Sequence, residues 1–420
     1  APEARGAPTP HVVTAAGSVR AEREGSSLRA ELVEALLESD DRGGLRISTL
    51  AADLGVAVRT ATGGAGVIEA RAQRLRARPL EEIVELSGEA SIARDGGVVR
   101  GESMRLEGET GRLTVFGAGV AERLATNVDE LMGYERVRVE WRDAMIFDDS
   151  DGVAECMGRV EAVADAANLS RDTARGERLL LTFSADPDAT ARGGDPQEAP
   201  RRLRRVELYG AQDGAAPATL EARRYIADDR AEAGIRLERM IYLSAPEVLA
   251  DAASETVRVP SAGSLLIEDR SDRARSSSSA ATAQGTTLFE WDGDLTLRRD
   301  NATALMRDRV RLRHRPRSGE EMIELESEAM SASFDADTER LTAADATGAV
   351  YARRGGRQLV ADRLRYDADE GTAVAEAWAG NLVTLFDEVR PIPQTATSVS
   401  WDLIRDVVRM QGSGTIAAPR

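Results

Sequence analysis

The feature that most constrains this chain is a two-residue hydrophobic rhythm, cut about every ten residues by glycine or acidic turns. Ser91-Ile92-Ala93, Val98-Val99-Arg100, Met104-Arg105-Leu106 and Leu113-Thr114-Val115-Phe116 all alternate. Between such stretches stand Asp95-Gly96-Gly97, Glu109-Thr110-Gly111, Asp151-Gly152 and Asp369-Glu370-Gly371. These residues tolerate the positive φ of tight hairpins, so the pattern predicts short antiparallel strands and an all-β fold. Two stretches carry a second reading. Ser27 to Glu38 (SLRAELVEALLE) places Leu28, Leu32, Ala35 and Leu36 at helical spacing behind a Ser27 cap, yet Leu28, Ala30 and Leu32 also alternate. The repeat context described below favours a strand pair there, and Asn168 to Glu177 is similarly ambiguous.

Charge and composition then remove whole classes of function. The 420 residues carry 55 basic and 72 acidic side chains, a net charge of -17, which disfavours a phosphate backbone as partner. Every basic residue is arginine. Without lysine there is no Walker A loop, no Schiff base and no S-x-x-K nucleophile. His11, His314 and the single cysteine, Cys156, are too few and too scattered for a structural zinc site or an internal disulfide. No apolar run is long enough to span a bilayer as a helix, and the start at Ala1, without Met or a signal-like region, reads as a mature form or an excised fragment. Aromatic residues make up only 4%, and much of the apolar content is alanine, so the core should be thin and leave room between its faces.

Internal similarity is the strongest organisational signal. Gly17-Ser-Val-Arg-Ala-Glu22, Gly88-Glu-Ala-Ser-Ile-Ala93, Gly158-Arg-Val-Glu-Ala-Val163 and Gly348-Ala-Val-Tyr-Ala-Arg353 each read as a glycine opening an alternating strand. A turn, a second strand, another turn and a third strand returning to glycine complete the unit. Two polar stretches interrupt it, at 185–205 and in the Ser-rich 271–285. The expected organisation is β repeats over 1–125, further β repeats over 126–270 with a loop at 185–205, a linker at 271–285, and a carboxy-terminal β-jellyroll over 286–420.

The stretch Ala346 to Asp387 resembles the OstA-like repeat of the lipopolysaccharide-transport bridge family, comprising LptA, LptC and the amino-terminal domain of LptD. Gly348, Ala361-Asp362, Leu364, Tyr366, Asp367, Ala377 and Gly380 occupy the repeat's positions. Gly88 to Gly117 is the next best match, with Gly101-Glu102 in place of alanine-aspartate. The resemblance implies OstA-like open β-jellyroll repeats stacked in series, in a periplasmic, cell-envelope location. It implies a non-enzymatic carrier whose apolar groove holds the acyl chains of lipopolysaccharide or another amphiphile. It further implies that other jellyroll domains of an envelope transport complex add by strand-edge contact.

On this reading Val98, Met104, Leu106, Leu113 and Val115 line the amino-terminal groove, and Leu359, Leu364, Tyr366, Val374 and Leu382 the carboxy-terminal one. An ordinary closed core explains the same alternation. Asp148 to Gly152 and Asp367 to Gly371 look like cation loops but fit hairpin turns better, so no metal or cofactor is expected. Arg353-Arg354 and the run Arg311, Arg313, His314, Arg315, Arg317 fit a solvated strand face better than a phosphate site. Trp291, Trp378 and Trp401 fit packing anchors or a groove rim, and Cys156 a buried inert thiol. The alternatives to a carrier are a closed structural β-solenoid and a carbohydrate-active β-helix enzyme, for which no carboxylate pair stands out.

Overall fold

The computed structural model describes residues 11–39, 44–62, 66–94, 96–124, 134–185, 201–228, 234–271, 284–317, 319–335, 341–378, 380–412 and 414–415. Among them are 29 β-strands and no helix, and every pairing whose register is described is antiparallel. The chain forms two compact units: residues 1–167 with 177–203, and residues 168–176 with 204–420.

In the first unit the strands are β1 His11–Arg23, β2 Ser26–Ser39, β3 Leu45–Thr62, β4 Gly66–Arg78, β5 Ile83–Arg94 and β6 Gly97–Glu107. They are followed by β7 Arg112–Leu124, β8 Tyr134–Trp141, β9 Ala144–Asp148, β10 Val153–Ala166 and β11 Ser170–Ala185, whose first residues belong to the second unit. The second unit continues with β12 Arg201–Tyr209, whose first three residues belong to the first unit, and with β13 Ala218–Ala227, β14 Ile235–Ala245, β15 Glu247–Asp251, β16 Thr256–Val259 and β17 Gly263–Asp269. Next come β18 Gly285–Trp291, β19 Leu295–Arg298, β20 Thr303–Pro316, β21 Ile323–Phe334, β22 Leu341–Arg354 and β23 Arg357–Asp367. The last are β24 Thr372–Glu376, β25 Val383–Asp387, β26 Arg390–Ala396, β27 Ser398–Asp402, β28 Val407–Gln411 and β29 Gly414–Thr415.

Ser27 to Glu38 is thus one continuous strand, β2, and neither a helix nor a strand pair. Pairing on both sides, with β1 and with β3, supplies the backbone partners that a helix would have supplied internally. The ambiguous 168–177 also enters a strand at Ser170. The expected loop at 185–205 lies mostly outside the described residues, and its end, from Arg201, is strand β12. Most of 271–285 is likewise outside them; β17 and β18, on either side of it, pair with each other in the second unit.

The repeated glycines do not open strands. They bend them midway. Gly17-Ser18, Gly88-Glu89, Gly158-Arg159 and Gly348-Ala349 sit inside β1, β5, β10 and β22, with φ of 77 to 85° at glycine and 45 to 51° at the next residue. Leu54-Gly55 in β3 and Asp308-Arg309 in β20 are the same device with other residues. Two successive left-handed residues make a β-bulge that turns the strand sharply. At the corners of β1, β3, β5 and β20 the neighbouring strand offers one residue against the pair, and this residue is polar: Glu31, Gln73, Glu102 and Glu328 stand at those register shifts. The carboxylates of Glu31 and Glu177 accept the Ser18 and Arg159 backbone N–H groups at 3.2 and 3.3 Å. Asp362, the aspartate of the resembling repeat, accepts the Trp378 backbone N–H at 2.7 Å and the Asn381 side-chain amide at 3.0 Å.

The hairpin turns hold their own carboxylates in the ionised form. Asp148 is lowered from its ordinary 3.8 chiefly by the Ser150 hydroxyl, and Asp251, Asp300 and Asp402 are lowered by hydrogen bonds from Ser254, Arg298 and Arg405. A depressed folded pKa adds stability above the unfolded value, and that stability is lost as pH falls through the depressed value. The melting temperature should therefore be insensitive to these groups above about pH 5 and fall below about pH 4. Asn at all four positions should flatten that acid limb in a pH series of melting curves.

Candidate functional site

Each bent strand gives two arms, and register fixes which side chains face inward. In the first unit one arm carries the row Leu86, Met104, Val115, Met145, Cys156 beside the corner. The other arm carries Ala90, Gly101, Gly119 and Trp141. The side chains of these floor rows are buried. The arms touch there: a β-carbon on Gly101 would collide with Val115 and approach Met104. The room expected between the faces is therefore absent at the floor, where small residues on one arm admit large ones from the other.

One step out from the corner the two arms carry rim rows, Val84, Leu106, Leu113, Phe147 and Ile92, Val99, Ala121, Val139. Apart from Val139 these are half-buried or exposed, and Leu106 is 39% exposed. Toward β1 even more of the inner face is open, with Val13 at 52%. The second unit is closed further out. Leu265, Phe289, Leu325, Leu359 and Leu385, at the same distance from the corner, are all buried.

The residues expected to line a groove divide accordingly. Met104 and Val115 are floor; Leu106 and Leu113 are rim. Leu359 and Leu364 are closed core, and Tyr366 is a half-buried inner residue next to Ala373. Val98 faces the other way, with Ala93 and Glu122 as neighbours, and the inner residue is Val99. The reason is local: alternation slips by one at Glu102, opposite the bulge, so counting back from Met104 in steps of two lands on the wrong face. Val374 lies between Arg365 and Ser400 on the outer face, with Ala373 and Ala375 inside. Leu382 is 50% exposed in the connection before β25.

The remaining candidates are structural. Asp148 accepts the Ser150 hydroxyl at 2.6 Å and the Asp151 N–H at 3.1 Å, and Asp367 accepts two backbone N–H groups of its own turn. Among the described residues no group of three metal-binding side chains is close enough to hold an ion. Arg311 and Arg354 pair with Asp292 and Glu320, and His314 is buried against the Thr287 hydroxyl at 2.8 Å. Burial pushes the Cys156 thiol up to about 12, so it stays protonated. Trp291 and Trp401 are buried, whereas Trp378 is 57% exposed.

Trp141 is the inner residue that sequence reasoning missed. It ends β8 as Trp291 ends β18, each after a glutamate and each beside a glycine of the adjacent strand, Gly119 and Gly263. The indole six-membered rings occupy the space of the missing side chains: β-carbons there would stand 2.5 and 2.7 Å from Cζ2. The shared Glu-Trp before a bend was the available signal. The two differ in one respect. Trp291 donates its indole N–H to the Ser261 carbonyl at 2.9 Å, while that of Trp141 is buried with no acceptor among the described residues.

Part of the open inner face and of the bent, glycine-cornered strands of the first unit falls within a sequence match. Residues 7–112 match the family of the LptA/(LptD N-terminal domain) LPS transport protein. This LptA/LptD-type region takes in β1 to β6. A search of curated proteins gives no significant match. Among solved structures, the chain is similar to LptH of Pseudomonas aeruginosa, described as the LptA homologous periplasmic component of a lipopolysaccharide transport device. That match has 10% identity, covers 40% of this chain and 92% of LptH, and has a TM-score of 0.24, too low to add weight to the registers above.

Proposed function

We propose that the protein is a non-enzymatic carrier of an acylated amphiphile of the lipopolysaccharide kind, working in the periplasm as part of the cell envelope. The observation that carries this is the half-open apolar rim of the first unit, of which Val84, Ile92, Val99 and Leu106 lie inside the residues that match the LptA/LptD family. Acyl chains would lie between the arms along Leu106, Leu113, Val99 and Ile92, and the head groups beyond the linking ester or amide would stay in water. Burying about ten methylenes contributes on the order of 8 kcal/mol before ordering costs. The OstA-like open jellyroll is the architecture that would combine a closed floor with open rims. Outer strands such as β1, registered on β2, would offer backbone edges to other jellyroll domains of an envelope complex. The closed second unit would serve as a spacer or docking body.

The test is uptake of a fluorescent acyl probe and of lipopolysaccharide by the purified full chain. Binding that competes between the two is expected. A folded protein that takes up neither would leave the closed structural solenoid as the better reading.

A further inference from the structure

Trp141 is only 2% exposed and its buried indole N–H has no acceptor among the described residues, whereas its counterpart in the second unit shows that the same fold can satisfy that group. The floor residues beside Trp141 are Gly119 and, one register step past the Glu140–Glu161 pair, Val160. Neither Gly119 nor Val160 offers a polar side chain to the indole. A carbonyl carried in on an apolar chain is an acceptor suited to these surroundings.

We infer that Trp141 is a specificity residue: when the arms of the first unit part around an acyl chain, its indole N–H donates to the carbonyl oxygen of that chain's ester or amide head. The inference rests on the carrier reading and narrows it. In the closed state the unmet donor weakens the contact between the arms at Trp141. In the loaded state a ligand carbonyl supplies the hydrogen bond that the Ser261 carbonyl supplies to Trp291. An alkyl chain without a carbonyl gains the burial and not the bond. The second unit, with its donor already engaged, would show no such preference.

Two amphiphiles that differ only in this group test it on the full chain: 1-monododecanoylglycerol, an ester, and 1-O-dodecylglycerol, its ether. Wild-type protein should bind the ester about threefold to tenfold more tightly, the worth of one net hydrogen bond. Trp141→Phe should bring the two affinities together by weakening the ester alone, and Trp291→Phe should leave the preference intact. An independent readout needs no variant: in the wild-type nuclear magnetic resonance spectrum, one indole N–H signal should move downfield with the ester and not with the ether. Equal affinities with an unmoved indole signal overturn the inference while the carrier reading stands. If neither amphiphile binds, the carrier reading falls and takes this one with it.

Discussion

Gly119→Ala should cost the first unit about 2–3 kcal/mol, although the substitution adds a single methyl group to a residue with no left-handed backbone. The new β-carbon would stand 2.5 Å from Trp141 Cζ2 and 2.7 Å from the Arg100 carbonyl oxygen. The ring is wedged in a buried floor row, and the carbonyl belongs to a paired strand, so neither can withdraw. The expected signature is a melting temperature roughly 5–10 °C lower for a unit of this size, read from the unit's own transition. Gly55→Ala is the informative comparison. Gly55 is left-handed, with φ of 70°, yet its β-carbon would meet nothing within 4 Å, so only backbone strain of about 1 kcal/mol applies. If the two losses came out equal, the packing of Trp141 on Gly119 would not be what matters. Combining Gly119→Ala with Trp141→Leu should recover part of the loss, because the colliding ring is gone while the Arg100 contact remains.

Val99→Asp should reduce acyl-probe binding at least about tenfold, whereas Val98→Asp, one residue away, should change it less than about twofold. Val99 belongs to the inner rim with Ile92 and Ala121, and Val98 to the outer face with Ala93 and Glu122. A carboxylate among the rim residues would have to be desolvated by an incoming alkyl chain; one on the outer face stays in water. Both are half-buried and sit on the same strand, so β-propensity and expression should suffer alike. Titrating the fluorescent acyl probe into both variants separates the two faces. Equal loss, or loss from Val98→Asp alone, would remove the groove from its assigned side.

This pair also shows what could be read from the chain and what could not. Alternation and acidic glycine turns announced the strands, and the repeated Gly17, Gly88, Gly158 and Gly348 announced a recurring unit. Their meaning was less visible. A glycine followed by a residue that also adopts positive φ looks, on paper, like a turn before a new strand. Only the partner strand's register reveals a bend within one strand. The slip at Glu102 is silent for the same reason: it is a property of two strands together, and a count along one of them carries Val98 inward. Alternation gives no means of choosing between Val374 and its smaller neighbours Ala373 and Ala375, and it is the small residues that lie inside. The Glu-Trp that Trp141 shares with Trp291 marks an inner position, but the lack of an acceptor for the Trp141 indole among the described residues is a property of the fold that no spacing records.

The corners have a consequence for how such a chain can change length. Bulged strands and strands bearing a lone polar residue take turns, so each of Glu31, Gln73 and Glu102 is clasped between bent neighbours before and behind it. Removing one strand would set bulge against bulge and leave both corners without their carboxylate or amide. Removing two restores the beat. Growth and shrinkage by duplication or deletion are thereby quantised in hairpins, and the span available to a cargo can be lengthened only in increments of two strand spacings, about 10 Å at a time.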